Sequence, residues 1–186
     1  VILIIVLIVG SLVSTYNGLV DKKAKVDNTE AQIQTYLQRR ADLIPNLVNT
    51  VKGYAAHESQ TLESVVAARA EATSINVDGS NMTPAQLAQY AEAQGKVTSA
   101  LGRLIAVAEG YPELKANQNF LELQSQLEGT ENRIAVERKR YNDVVVSFNS
   151  KIVTFPRNII AGMFGFTTKE FFAAAQQAEQ APEVVF

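Results

Sequence analysis

Hydrophobic and polar positions follow two regimes along this chain. From Val1 to Val20 no residue is charged, and the opening run VILIIVLIVGSLV is apolar apart from one glycine and one serine. Twenty helical residues rise about 30 Å, the thickness of a bilayer's hydrocarbon core, so residues 1–20 are expected to form a transmembrane anchor. A cleaved signal peptide is the rival reading. Against it, Ser14, Thr15, Tyr16, Asn17 and Gly18 offer no A-x-A site, and Tyr16 with Asn17 suits the headgroup region.

Beyond Asp21 the apolar block gives way to stripes spaced by four and three residues, the mark of one helical face. The first reads Ile33, Leu37, Arg40, Ile44, Leu47, Val51, Tyr54 and resumes at Leu62 and Val65 after a shift near His57. Pro45 falls inside this register and removes one backbone hydrogen bond. A kink near Leu43 to Pro45, or a break with Pro45 opening a new helix, is therefore expected. In either case the first arm runs from the membrane to about Thr73.

Turn formers between Ser74 and Met82 (Asn76, Asp78, Gly79, Ser80, Asn81) mark the tip of a hairpin. Thr83-Pro84-Ala85-Gln86 then has the form of a capping box, and a second stripe, Leu87, Tyr90, Gln94, Val97, Leu101, Leu104, Ala108, brings a second helix back. Gly110-Tyr111-Pro112 stops it. The third stripe runs Leu127, Glu131, Ile134, Arg138, Tyr141, Val145, Phe148, Ile152, Phe155, giving a long helix from near Asn117 to Phe155-Pro156. The apolar segment RNIIAGMFGF (Arg157 to Phe166) follows. Thr167 with Glu170 forms a second possible capping box, which predicts a short helix through about Glu179.

The predicted fold is all-α: an N-terminal transmembrane helix continuing into a long antiparallel helical bundle of three long helices plus a short C-terminal helix. The division is 1–20 anchor, 21–172 bundle and 173–186 tail. Composition agrees, with no Trp or Cys and abundant Ala, Gln, Glu, Val and Leu. A net charge of −2 with interspersed signs gives no case for nucleic acid. Lys22, Lys23, Lys25, Arg39 and Arg40 follow the span, so the bulk of the chain is expected on the cytoplasmic side; a basic flank before Val1 would reverse that topology.

Three blocks resemble the LemA family: RRADLIPNLVNTVKGYAAHE (Arg39 to Glu58), YPELKANQNFLELQSQLEGTENRIAVERKRYNDVVVSFN (Tyr111 to Asn149) and FPRNIIAGMFGF (Phe155 to Phe166). STYNGLV after the anchor does so too. The resemblance covers the chain from Val1 to about Phe172. It implies a bacterial inner-membrane protein with an N-terminal span, a helical bundle and no established enzymatic activity. Relatives are associated with membrane-organelle formation and with membrane-stress systems.

Candidate chemistry is sparse. His57 is the one histidine, and without cysteine a metal site would need carboxylates from other helices, so it is read as a surface or half-buried helical residue. There is no GxGxxG, P-loop or HExxH, and Ser or Thr nucleophiles would have only His57 as a base. No catalytic residue, metal ligand or cofactor is predicted. A hydrolase built on His57 and carboxylates is the weakest reading.

Charges on the apolar stripes carry more information. Arg40, Glu131 and Arg138 should find partners across the bundle, with Arg40 and Glu131 as one candidate pair, either to fix helix register or to form an assembly contact. Ile159, Ile160, Met163, Phe164 and Phe166 make a candidate apolar contact segment, either filling the core or dipping into the membrane. Three arms running up, down and up would leave it at the pole far from the bilayer, docked on the bundle tip or on another subunit. The expected function is a non-enzymatic single-pass scaffold, self-assembling into homo-oligomers on membrane lipid and organising or shaping it. The alternative is an accessory subunit of a membrane protease or stress-sensing complex.

Overall fold

A computed structural model describes residues 2–75 and 83–172. Six helices follow one another: α1 (Ile2–Lys52), α2 (Ser59–Ser74), α3 (Pro84–Ala108), α4 (Pro112–Lys115), α5 (Gln118–Val153) and α6 (Arg157–Met163). The expected all-α architecture is present. The chain divides into two compact units, one of residues 1–33 with 136–171, the other of residues 34–135 with 172–186, so α1 and α5 each contribute to both.

In the unit built on residues 34–135, the striped positions form the core. Ile44, Leu47, Val51, Leu62, Val65, Val97, Leu101, Leu104 and Leu127 pack with Leu114 and Phe120 in one buried cluster. The break considered at Pro45 does not occur. α1 passes through it as helix, and the chain instead reverses at 53–58. Two side chains from the 111–117 turn secure that reversal: the Tyr111 hydroxyl donates to Glu58 Oε1 at 3.1 Å, and Asn117 Nδ2 donates to the Tyr54 hydroxyl at 2.9 Å. The long first arm is thus two antiparallel helices, and a fourth leg enters the bundle.

The hairpin tip lies largely outside the described residues. Its far side shows the expected capping box, with Thr83 Oγ1 accepting from the Gln86 amide at 3.3 Å and Gln86 Oε1 accepting from the Thr83 amide at 2.9 Å.

In the other unit α1 meets α5 and α6. Leu19, Val26, Ile33, Val145, Phe148, Ile152 and Ile160 are buried there, whereas Phe155, the last member of the third stripe, is exposed. The short helix opens at Arg157, not at Thr167. Gly165, at φ 72°, ends it, with the Phe166 amide reaching back to the Ala161 carbonyl at 2.9 Å. From Phe166 to Phe172 the chain is not helical, so the predicted capping box at Thr167 does not form a helix over the described residues. Asn149 explains why: its side-chain amide donates to the Lys169 carbonyl (2.8 Å) and accepts from the Lys169 amide (2.9 Å), holding that stretch beside α5 as a strand would be held. The rest of the predicted helix and the tail lie outside the described residues.

Candidate functional site

Arg40 is the centre of the first cluster. Its place on the α1 stripe aims a guanidinium into the interior, and only 2% of the residue is exposed. A buried cation needs donors satisfied on every side. Nη1 donates to Glu131 Oε1 on α5 (2.7 Å) and to Thr98 Oγ1 on α3 (2.9 Å), while Nη2 donates to the Gln94 side-chain oxygen. The Glu131 carboxylate is a third exposed, so water shares in its solvation and the pair costs less to bury than a dry one. One cation thereby ties three helices together.

Arg40 and Glu131 are brought together, whereas Arg138 belongs to the other unit, half-buried on α5. Gln94 and Thr98 join the network without having been singled out as its members. Gln94 was legible as a polar residue on an apolar stripe; Thr98 carried no such signal.

A groove of about 310 Å³ opens next to Arg40, lined also by Gln34, Gln38, Arg69, Tyr90 and Gln94. Arg69, on α2, is the residue that sequence reasoning missed outright. Its Nε donates to the Ala41 carbonyl at 2.7 Å, and that carbonyl is the one Pro45 deprives of its helical donor.

His57 is exposed, as read, but sits in the turn between α1 and α2 and not on a helix. Among the described residues no group of three or more His, Cys, Asp or Glu could hold a metal ion.

In the unit of 1–33 with 136–171, Tyr141 is buried on α5 and its hydroxyl donates to the Glu170 carbonyl at 3.2 Å. Burial, together with the carboxylates of Glu30, Asp27 and Glu170, holds its phenol well above the ordinary range. The phenol therefore stays a donor through the whole neutral range.

The segment from Ile159 to Phe166 packs against the uncharged N-terminal part of α1. Phe164 packs on Tyr16 with ring centroids 4.6 Å apart, and Phe166 stands 6.0 Å from Tyr16 and 6.5 Å from Phe148. Tyr16 lies within the uncharged run, so the distal docking expected for this segment is overturned. The cause is the reversal at 53–58, which adds one leg to the count and brings α5 back toward the start of α1. Ile160 is buried and Phe166 half-buried, whereas Ile159, Met163 and Phe164 are exposed. α1 itself contains a stretch long and apolar enough to cross a membrane, and its side chains from Ile2 to Val9 are exposed.

The LemA protein of Metamycoplasma hominis is 27% identical over 179 residues, covering 94% of this chain and 78% of that protein. Magnetosome protein MamQ 2 of Paramagnetospirillum magneticum is 26% identical over 188 residues, covering 92% and 69%. Magnetosome protein MamQ of Magnetospirillum gryphiswaldense is 27% identical over 192 residues, with the same coverage. The model of the LemA family matches residues 29–186, and the chain belongs to that family.

Proposed function

We propose that this chain is a non-enzymatic, single-pass scaffold of the bacterial inner membrane, whose helical domain self-assembles at the bilayer. The observation that carries the reading is α1, whose 51 residues begin in the apolar run and continue as helix into the bundle core. A span that is also a core helix holds the domain against the membrane with no linker, so neighbouring copies meet in one orientation and in two dimensions. Relatives named as magnetosome proteins support an association with a cellular structure. The basic residues Lys22, Lys23 and Lys25 after the span favour a cytoplasmic domain.

The test is the particle mass of the full-length protein, gently extracted from its native membrane and weighed by native mass spectrometry. A large, uniform homo-oligomer is expected. A monomer sinks the reading, and a small complex with one foreign protein replaces it with an accessory subunit. Topology is read separately from a single cysteine at the exposed turn, His57→Cys, in a chain that otherwise has none. Protection from a membrane-impermeant maleimide in intact cells, after any outer membrane is made permeable, is the expected result.

A further inference from the structure

We propose that α6 and its flanks are a membrane-immersed element, seated in the headgroup and upper acyl region of the leaflet that the span enters on its domain side. Ile160 and Ala161 are buried against the protein, so the inward face is apolar. Four large apolar side chains are exposed here: Ile159 (55%) and Met163 (74%), one turn apart on α6, with Phe155 (75%) just before the helix and Phe164 (57%) just after it. Arg157 and Asn158 make the first turn of α6 polar, but a solvated surface would not gather four large hydrophobic side chains over ten residues of one segment.

What covers this face follows from its neighbour. Tyr16 lies five residues before Asp21, the first charge after the apolar run. At 1.5 Å per residue that is about 7 Å on the bilayer side of Asp21. Helical side chains lean toward the helix N-terminus, which carries the Tyr16 ring further the same way. Phe164 rests on that ring, so its depth matches the roughly 5–10 Å at which amphipathic interfacial helices lie.

The polar rim fits the same occupant. Lys22, Lys151 and Arg157 line a groove of about 240 Å³ beside Ser14, Thr15, Gly18 and Leu19, with Asp21 as its one carboxylate. Three cations against one carboxylate leave the groove net positive, which suits lipid phosphates, and the long stems of these cations can lie along the apolar surface. The occupant is therefore lipid, continuous with the lipid around the span. The inference rests on the span reading and is independent of self-assembly.

The experiment uses the absence of tryptophan from the chain. Single-tryptophan versions of the full-length protein, Met163→Trp and Phe164→Trp, are reconstituted in vesicles of phosphatidylcholine and phosphatidylglycerol. Val9→Trp reports on the span. Val136→Trp, exposed and about 25 Å up α5 from its end at Val153, is the aqueous control. Lipids brominated on the acyl chain near the headgroup should lower emission at 163 and 164 about twofold or more, while acrylamide in the water reaches both far less than it reaches 136. Two positions guard against one misfolded variant, which circular dichroism would expose.

Acrylamide quenching at 163 and 164 equal to that at 136 overturns the proposal. So does protection from both quenchers, which would mean that protein covers the face. Failure of lipids brominated near the chain terminus to quench at Val9→Trp, mid-span at about 18 Å from Asp21, would overturn the span itself, a separate failure.

Discussion

Arg69 Nε stands 2.7 Å from the carbonyl oxygen of Ala41, four residues before Pro45. A proline in a helix leaves one carbonyl without its amide donor, and an unpaired buried carbonyl costs about 1–3 kcal/mol. Here a guanidinium from the antiparallel helix supplies the missing hydrogen bond. Ala41 is 8% exposed, so water is a poor substitute.

Arg69→Met should therefore lower the stability of the detergent-solubilised protein by about 1–3 kcal/mol, read from thermal melts followed at the helical circular-dichroism band. In a Pro45→Ala background the helix recovers its own donor, and the same Arg69→Met change should cost about 1 kcal/mol less. Equal losses in the two backgrounds would refute the substitution of one donor for another.

Arg40 permits a second cycle. Arg40→Ala empties a site that is 2% exposed and strands the Gln94 side-chain oxygen, for a loss of about 3–5 kcal/mol. Arg40→Met keeps the packing volume and leaves Glu131 free to turn to water, so it should cost about 2 kcal/mol less than the alanine. Identical melting temperatures for the two variants would mean that charge, not packing, dominates.

Tyr141 gives a dependence on pH. Its phenol is raised in the folded state above the ordinary value near 10, so above that pH the unfolded chain loses a proton that the folded chain keeps. The stabilisation is complete below pH 10 and falls by up to about 1.4 kcal/mol per pH unit as pH rises further. Tyr141→Phe should give up the hydrogen bond to Glu170 but lose stability less steeply between pH 9.5 and 11.5, about that range being accessible to melting experiments. Parallel curves for the two proteins would contradict it.

At the hairpin's far side, Thr83→Ala removes one acceptor of a reciprocal capping pair. The expected loss is about 1 kcal/mol, and Thr83→Ser should recover most of it. Amide exchange of the first turn of α3, measured by mass spectrometry, should speed up in the alanine variant and not in the serine one.

The apolar stripes were legible because burial follows them almost residue by residue, from Ile33 to Val51 and from Tyr90 to Ala108. The pairing of Arg40 with Glu131 was legible for the same reason, since two opposite charges on two stripes have few places to go. The reversal at 53–58 was not. Pro45, the strongest breaker in the first arm, does not end the helix because Arg69 repairs it. The run Gly53-Tyr54-Ala55-Ala56-His57-Glu58 contains good helix formers and breaks because Tyr111 and Asn117 hold Glu58 and Tyr54 from more than fifty residues away. Local propensity cannot see a partner at that distance. One unseen reversal was enough to send the Ile159 to Phe166 segment to the wrong pole.

Thr167 failed for a related reason. A capping box specifies a helix only when no stronger partner claims the backbone, and the Asn149 side chain claims Lys169 at both its amide and its carbonyl.

That double hydrogen bond makes the chain from Asn149 to Lys169 a closed loop with a fastened neck. Gly165, the one residue described there with a left-handed backbone, folds the loop back on itself at its aromatic end. A loop fastened in this way cannot lengthen or shorten, so the height of Phe164 above its neck is set by a count of residues and not by the pull of whatever it touches. Asn149 acts as a clasp, and an insertion or deletion between it and Lys169 would reset the reach of the loop in steps of one residue.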